Sequence, residues 1–154
     1  MNTQSENNRQ ALYEYLSKLT AKQFKAFYAA LVHYWTMDNF FITDQNFRNL
    51  WCEFNFHCHE MDESFPDRYD DFELLKDFCH FHPYYFIDRL PLEMVAKLIA
   101  EHVDNRIDIL ANFAKILSEA DMRAAYTYMN DALGLAETID YLVSETETHI
   151  KFFY

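Results

Sequence analysis

Glycine is almost missing from these 154 residues, with Gly134 alone against three prolines and three cysteines. Tight hairpins and bulges need backbone that tolerates positive φ, and sheet proteins use glycine freely to obtain it. A fold of hairpins is therefore excluded. Also missing are a glycine-rich phosphate loop and a glycine-framed nucleophile, and serine is sparse. The three cysteines, Cys52, Cys58 and Cys79, cannot all pair within the chain, and a reducing compartment leaves them as thiols. No long apolar run is present either. Residues 24–35 are the most apolar stretch, but Lys25 and His33 interrupt it and it is too short to cross a bilayer. The first ten residues are polar where a secretory signal has a basic start and an apolar stretch. The expectation is a cytoplasmic protein, of the producing or a host cell, with no membrane partner.

Positive charge is the remaining shortage. Thirteen Lys and Arg face 25 Asp and Glu, for a formal charge of −12, and the imbalance is uneven. Residues 1–60 are nearly balanced, whereas residues 62–77 hold seven acids and two bases. Such a surface repels nucleic acid and anionic lipid and attracts basic partners. The clustered Lys and Arg needed for phosphate contacts do not occur, so no direct nucleic-acid partner is expected. The nearest approach is Lys18, Lys22 and Lys25, read as a solvated face.

What is abundant is apolar and aromatic: 51% of the chain is hydrophobic and 18% aromatic, too apolar for a disordered acidic tail. Its length can bury a sizeable core. Apolar residues recur in steps of three and four, as in Leu92, Ala96, Ile99, Val103, Ile107, Leu110, Ala114 and Leu117. With no repeat, low-complexity run or linker, the expectation is all-α, a single compact bundle of about six or seven helices, with residues 1–154 forming one acidic helical domain.

Local punctuation places those helices. The first covers about 5–19 and buries Leu12, Leu16 and Leu19. Thr20 through Gln23 reads as a capping box opening a second, about 21–37. Thr43 or Asp44 caps a third, about 44–61, carrying Phe47, Leu50, Trp51 and Phe54. Asp67 caps a fourth of about 68–81, which ends at His82-Pro83 because the residue before proline is pushed out of the α region. Pro91 opens a long helix of about 91–117, with a break near Asp104-Asn105. A start near Ser118, with Asp121 aligned to the dipole, opens a helix of about 119–133 closed by Gly134, and the last covers about 135–151.

Wrapped at about 100° per residue, the fourth helix puts Asp67, Asp70, Asp71 and Asp77 on a face with Leu74, Phe78 and Phe81, while Phe72, Leu75 and Cys79 project elsewhere. Two readings fit. Either the apolar members are core and the carboxylates ring the seam, or the face is a partner surface of Asp62, Glu63, Asp67, Asp70, Asp71, Leu74, Asp77 and Phe78. In the second, apolar anchors supply burial and acids steer a basic protein into register.

A competing constellation is cysteine and histidine, seven of whose ten residues fall between 52 and 82. Zinc takes four such ligands on a tetrahedron. Cys52 with His59 and Cys79 with His82 are the pairs that share helix faces, and so form the candidate metal set. Against them stand the absence of Cys-x-x-Cys, and aromatic neighbours Phe54, Phe56, Phe78 and Phe81 that favour simple core filling. Glu53 with His57, and Glu145 with His149, share faces and read as local pairs, since the Glu-x-x-His motif of helical di-iron sites is absent.

No catalytic residues and no cofactor are indicated. The leading expectation is a non-enzymatic acidic interaction protein that binds and blocks a basic protein, or the basic nucleic-acid-binding surface of one. An immunity protein, an inhibitor of a nucleic-acid-handling enzyme or complex, and a nucleic-acid mimic are of this kind. The alternatives are a helical metal-binding protein using the 52–82 cluster and a self-associating structural subunit that forms a homodimer.

Overall fold

The computed structural model describes residues 3–58, 72–81, 84–119 and 121–152. They form eight helices, with no strand among the described residues: α1 (Thr3–Ser17), α2 (Ala21–Asp38), α3 (Asp44–His57), α4 (Phe72–Phe81), α5 (Leu92–His102), α6 (Ile107–Glu119), α7 (Met122–Leu133) and α8 (Ile139–Phe152). The all-α expectation holds. The count is eight, not six or seven, because the periodic stretch 91–117 divides completely into α5 and α6.

The division has a tertiary cause. The backbone amides of Asp104 and Asn105 both donate to the Phe41 carbonyl at 3.1 Å, and the Asp104 carboxylate accepts from the Thr43 amide at 3.0 Å. The Asn105 side chain donates to the Asn39 carbonyl, and Arg106 sits at φ +46°. A continuous helix would spend those amides on its own ladder. Here the α2–α3 connection takes them.

Other helix ends are set locally. Thr20 and Gln23 form the reciprocal capping box of α2, and Thr43 caps α3 through the Asn46 amide. Asp121 lies three positions earlier in its helix than expected: it is itself the N-cap of α7, accepting from the Ala124 amide at 2.8 Å. Gly134, at φ +69°, ends α7 in the left-handed region where a side chain is penalised. Residues 68–71 of the expected fourth helix lie outside the described residues.

α1 packs on α5 and α6, α6 also meets α2 and α7, α8 covers α7 and α2, and α3 joins α5 to α4. The apolar positions read from spacing are the core, including Leu12, Leu16, Leu19, Phe47, Leu50, Trp51 and Phe54. Aromatic rings fill the layers between helices: Trp35 stacks on Phe47 with centroids 3.7 Å apart, and Phe113 contacts both Phe27 and Tyr126. Such wide rings let few helices enclose a dense interior.

One basic residue contradicts the solvated-face expectation. Lys18 and Lys22 are exposed, but Lys25 is 3% exposed. Its ammonium lies 3.1 Å from the Asp88 carboxylate and 5.2 Å from the Tyr84 ring centroid. The apolar sides of α2 and the 84–90 turn bury the stem, and the Asp88 carboxylate stands opposite its nitrogen.

Candidate functional site

Three members of the expected partner surface are described, and they separate. On α4, Leu75 and Cys79 enter the core, while Leu74 is 37% exposed and Glu73 and Asp77 are exposed. Phe78 is half-buried, edge-on to Trp51 at 5.5 Å and to Tyr85 at 6.0 Å. Phe78 therefore roots the helix, and Leu74 with Asp77 faces outward. Asp62, Glu63, Asp67, Asp70 and Asp71 lie outside the described residues.

Of the aromatic neighbours of the cysteines, Phe56 stands apart: it is 77% exposed. The buried stripe of α3 is Phe47, Leu50, Trp51 and Phe54. A residue two positions past Phe54 turns about 200° away from that stripe. Helical spacing contained this signal. The exposed ring sits at the end of α3 that leads into the acid-rich segment.

Electrostatically, several of the described cations are turned onto the fold, while Lys22, Lys97, Arg106 and Lys115 are exposed with no ion-pair partner among the described residues. Arg9 donates to the Ala100 and Glu101 carbonyls at the C-terminal end of α5, at 2.8 and 3.2 Å. The Arg48 guanidinium covers the Phe72 ring, Lys76 sits 5.3 Å over Trp35, and Arg89 lies 3.5 Å over Tyr85. Arg123 pairs with Asp140, and Lys25 with Asp88. In contrast Glu73, Asp77, Glu101, Asp108, Asp131 and Glu147 are exposed with no ion-pair partner among the described residues. Part of the positive charge is engaged by the fold while these carboxylates remain at the surface, where they contribute an outward negative field.

Of the metal candidates, Cys79 is buried and Cys52 half-buried, and His59 and His82 lie outside the described residues. Burial pushes the Cys79 thiol up to about 12 and raises that of Cys52. Both shifts oppose the thiolate that a zinc ligand must become. No group of three His, Cys, Asp or Glu converges among the described residues. Glu53 and His57 form the expected local pair at 3.8 Å, while the His149 side chain lies outside the described residues. No described helix is long and apolar enough to cross a membrane. No family model, curated protein or solved structure matches this chain, so its functional reading rests on these side chains.

Proposed function

We propose that the chain is a non-enzymatic interaction protein that occupies a basic surface of another protein. The observation that supports this reading is the unequal fate of its charges. Arg9, Lys25, Lys76, Arg89 and Arg123 are engaged by carbonyls, rings or carboxylates of the fold, while many carboxylates project without a cation. Carboxylates presented this way would stand where phosphates dock on a nucleic-acid-binding protein, as in an immunity protein, an inhibitor of a nucleic-acid-handling enzyme or a nucleic-acid mimic of that kind. Leu74, on the helix that also exposes Glu73 and Asp77, and Phe56 supply exposed apolar groups. Burying such groups slows dissociation, and the acids speed encounter.

The test is kinetic. The partner is recovered by affinity capture from the producing cell, purified, and its association measured across a salt series. Replacing Asp70 and Asp71 by Asn is expected to slow association and flatten its salt dependence, because steering reaches about one Debye length, about 8 Å at physiological salt. Unchanged rate and salt slope would remove the 62–77 run from the interface. A captured partner whose contact surface is neutral or acidic would sink the reading.

A further inference from the structure

A cavity of about 150 Å³ lies where α4 stands away from α2 and α8. Ala29, Val32, His33 and Thr36 form one stripe of α2 along its wall, and Leu142 and Thr146 of α8 face it, with Lys76 and Cys79 on the α4 side. Tyr126 of α7 also lines it. Volume alone fits an apolar body of about one six-membered ring.

One buried proton in this wall is unspent. The hydroxyls of Tyr126 and Thr146 lie 2.9 Å apart, and their residues are 2% and 8% exposed. Each hydroxyl owns one hydrogen, and the bond between them uses one. The neighbouring threonines Thr127 and Thr148 return their hydrogens to backbone carbonyls four residues back, but Thr146 has no such bond. Among the described residues no acceptor receives the second proton. Whichever hydroxyl donates within the pair, the other retains a buried donor, and leaving it unmet is costly.

Each charged group around the cavity has an opposite charge, a ring or a hydroxyl of the fold beside it. Lys76 lies over Trp35 and 4.0 Å from Asp44; His33 is 3.6 Å from Glu137, an ion-pair distance at which its Nε2 makes no hydrogen bond; and Glu145, also on the wall, pairs with the Tyr141 hydroxyl. Cys79 is a buried thiol. An ionic guest would therefore lose its water without gaining an uncommitted counter-charge. We propose that this cavity binds a small neutral molecule, an apolar ring-sized body carrying one hydrogen-bond acceptor that takes the spare proton of the Tyr126–Thr146 pair.

Acetophenone and α-methylstyrene test this directly, because they differ by a carbonyl oxygen replaced with a methylene of similar shape. In methyl-detected NMR titrations, acetophenone should shift the Ala29, Val32 and Leu142 resonances and bind at least ten times more tightly than α-methylstyrene. Thr146→Val and Tyr126→Phe each leave one hydroxyl donor, so each single variant should keep the preference. The double variant should lose it. Replacing both members of a hydrogen-bonded pair with apolar groups of like shape is close to neutral, so that variant is expected to fold. The wild-type comparison decides the matter by itself. Equal binding of both probes marks a dry packing void, and absent or distant methyl shifts mark no site; either result overturns the proposal.

Discussion

Lys25 and Asp88 form an ion pair whose two ends stand in different media: at 3.1 Å separation, the Lys25 side chain is 4% exposed and that of Asp88 46%. Removing either partner therefore has unequal consequences. Asp88→Ala leaves an ammonium in the interior, whereas Lys25→Met fills the same channel with an uncharged chain and leaves a carboxylate that water can solvate. The expected loss for Asp88→Ala is about 2 to 3 kcal/mol, below the range for fully buried pairs because water reaches the site. Lys25→Met should cost under about 1 kcal/mol. Urea unfolding checks the order, and equal losses would contradict the asymmetry.

Gln23 serves two helices with one amide. Its oxygen accepts from the Thr20 amide at 2.8 Å to close the α2 capping box, and its nitrogen donates to the Leu117 carbonyl near the end of α6 at 2.9 Å. Gln23→Glu keeps the acceptor and loses the donor, while Gln23→Ala loses both. Losses of about 1 kcal/mol for Glu and about 2 kcal/mol for Ala are expected from ordinary capping and hydrogen-bond energies. Thermal melts at neutral pH should place the three proteins in that order.

Alkali should unfold the protein through its buried thiol and phenols. Burial pushes Cys79 from 9.0 and Tyr126 from 10.0 up to about 12, and it also raises Tyr28, Tyr34 and Tyr84. A folded-state pKa above the unfolded one favours the protonated native form. This contribution is complete below the ordinary values and disappears as pH climbs from about 9 towards about 12. Each such group contributes a slope of about 1.4 kcal/mol per pH unit within its own window. Stability measured against pH should be level near neutrality and fall above pH 9, and Cys79→Ala should fall less steeply between about 9 and 10. A parallel slope for that variant would show that Cys79 does not titrate with unfolding.

The outward and inward members of α4 should respond differently to truncation. Phe78 contacts Trp51 and Tyr85, so Phe78→Ala should lower the melting temperature, at a cost of about 2 to 3 kcal/mol for a half-buried ring. Leu74→Ala and Phe56→Ser should leave stability within about 0.5 kcal/mol, since both side chains already meet water. Their effect belongs in the dissociation rate from a captured partner. A large stability loss in either would place that side chain in the core and remove it from the surface.

Helix ends were legible where the signal is local. Thr20 with Gln23, Thr43 and Gly134 announce themselves within a few residues, and the structure uses each as its chemistry suggests. The burial of Lys25 was not legible, because the carboxylate that admits it belongs to the 84–90 turn and no periodicity connects the two. The α5–α6 break was visible as a weak point at Asp104-Asn105. Its completeness depends on Phe41 and Thr43, across a separation of 61 residues for the Thr43–Asp104 bond. Of the candidate surface, spacing separated Leu75 and Cys79 from Leu74 and Asp77, but not Phe78, whose depth is set by Trp51 on another helix. The outward turn of Phe56 was legible from its rotation relative to Phe54.

The seat of α1 also orders events at the ribosome. Leu12 and Leu16 are buried in a helix that packs on α5 and α6, and Arg9 reaches the Ala100 carbonyl across 91 residues. Of the eight described helices, the earliest made thus has its partners in α5 and α6. At roughly 5 to 20 residues per second, its apolar face waits on the order of 5 to 20 seconds before α5 and α6 emerge to cover it. Nascent chains stalled before α6 carry that uncovered leucine stripe, an apolar surface of the kind chaperones shield.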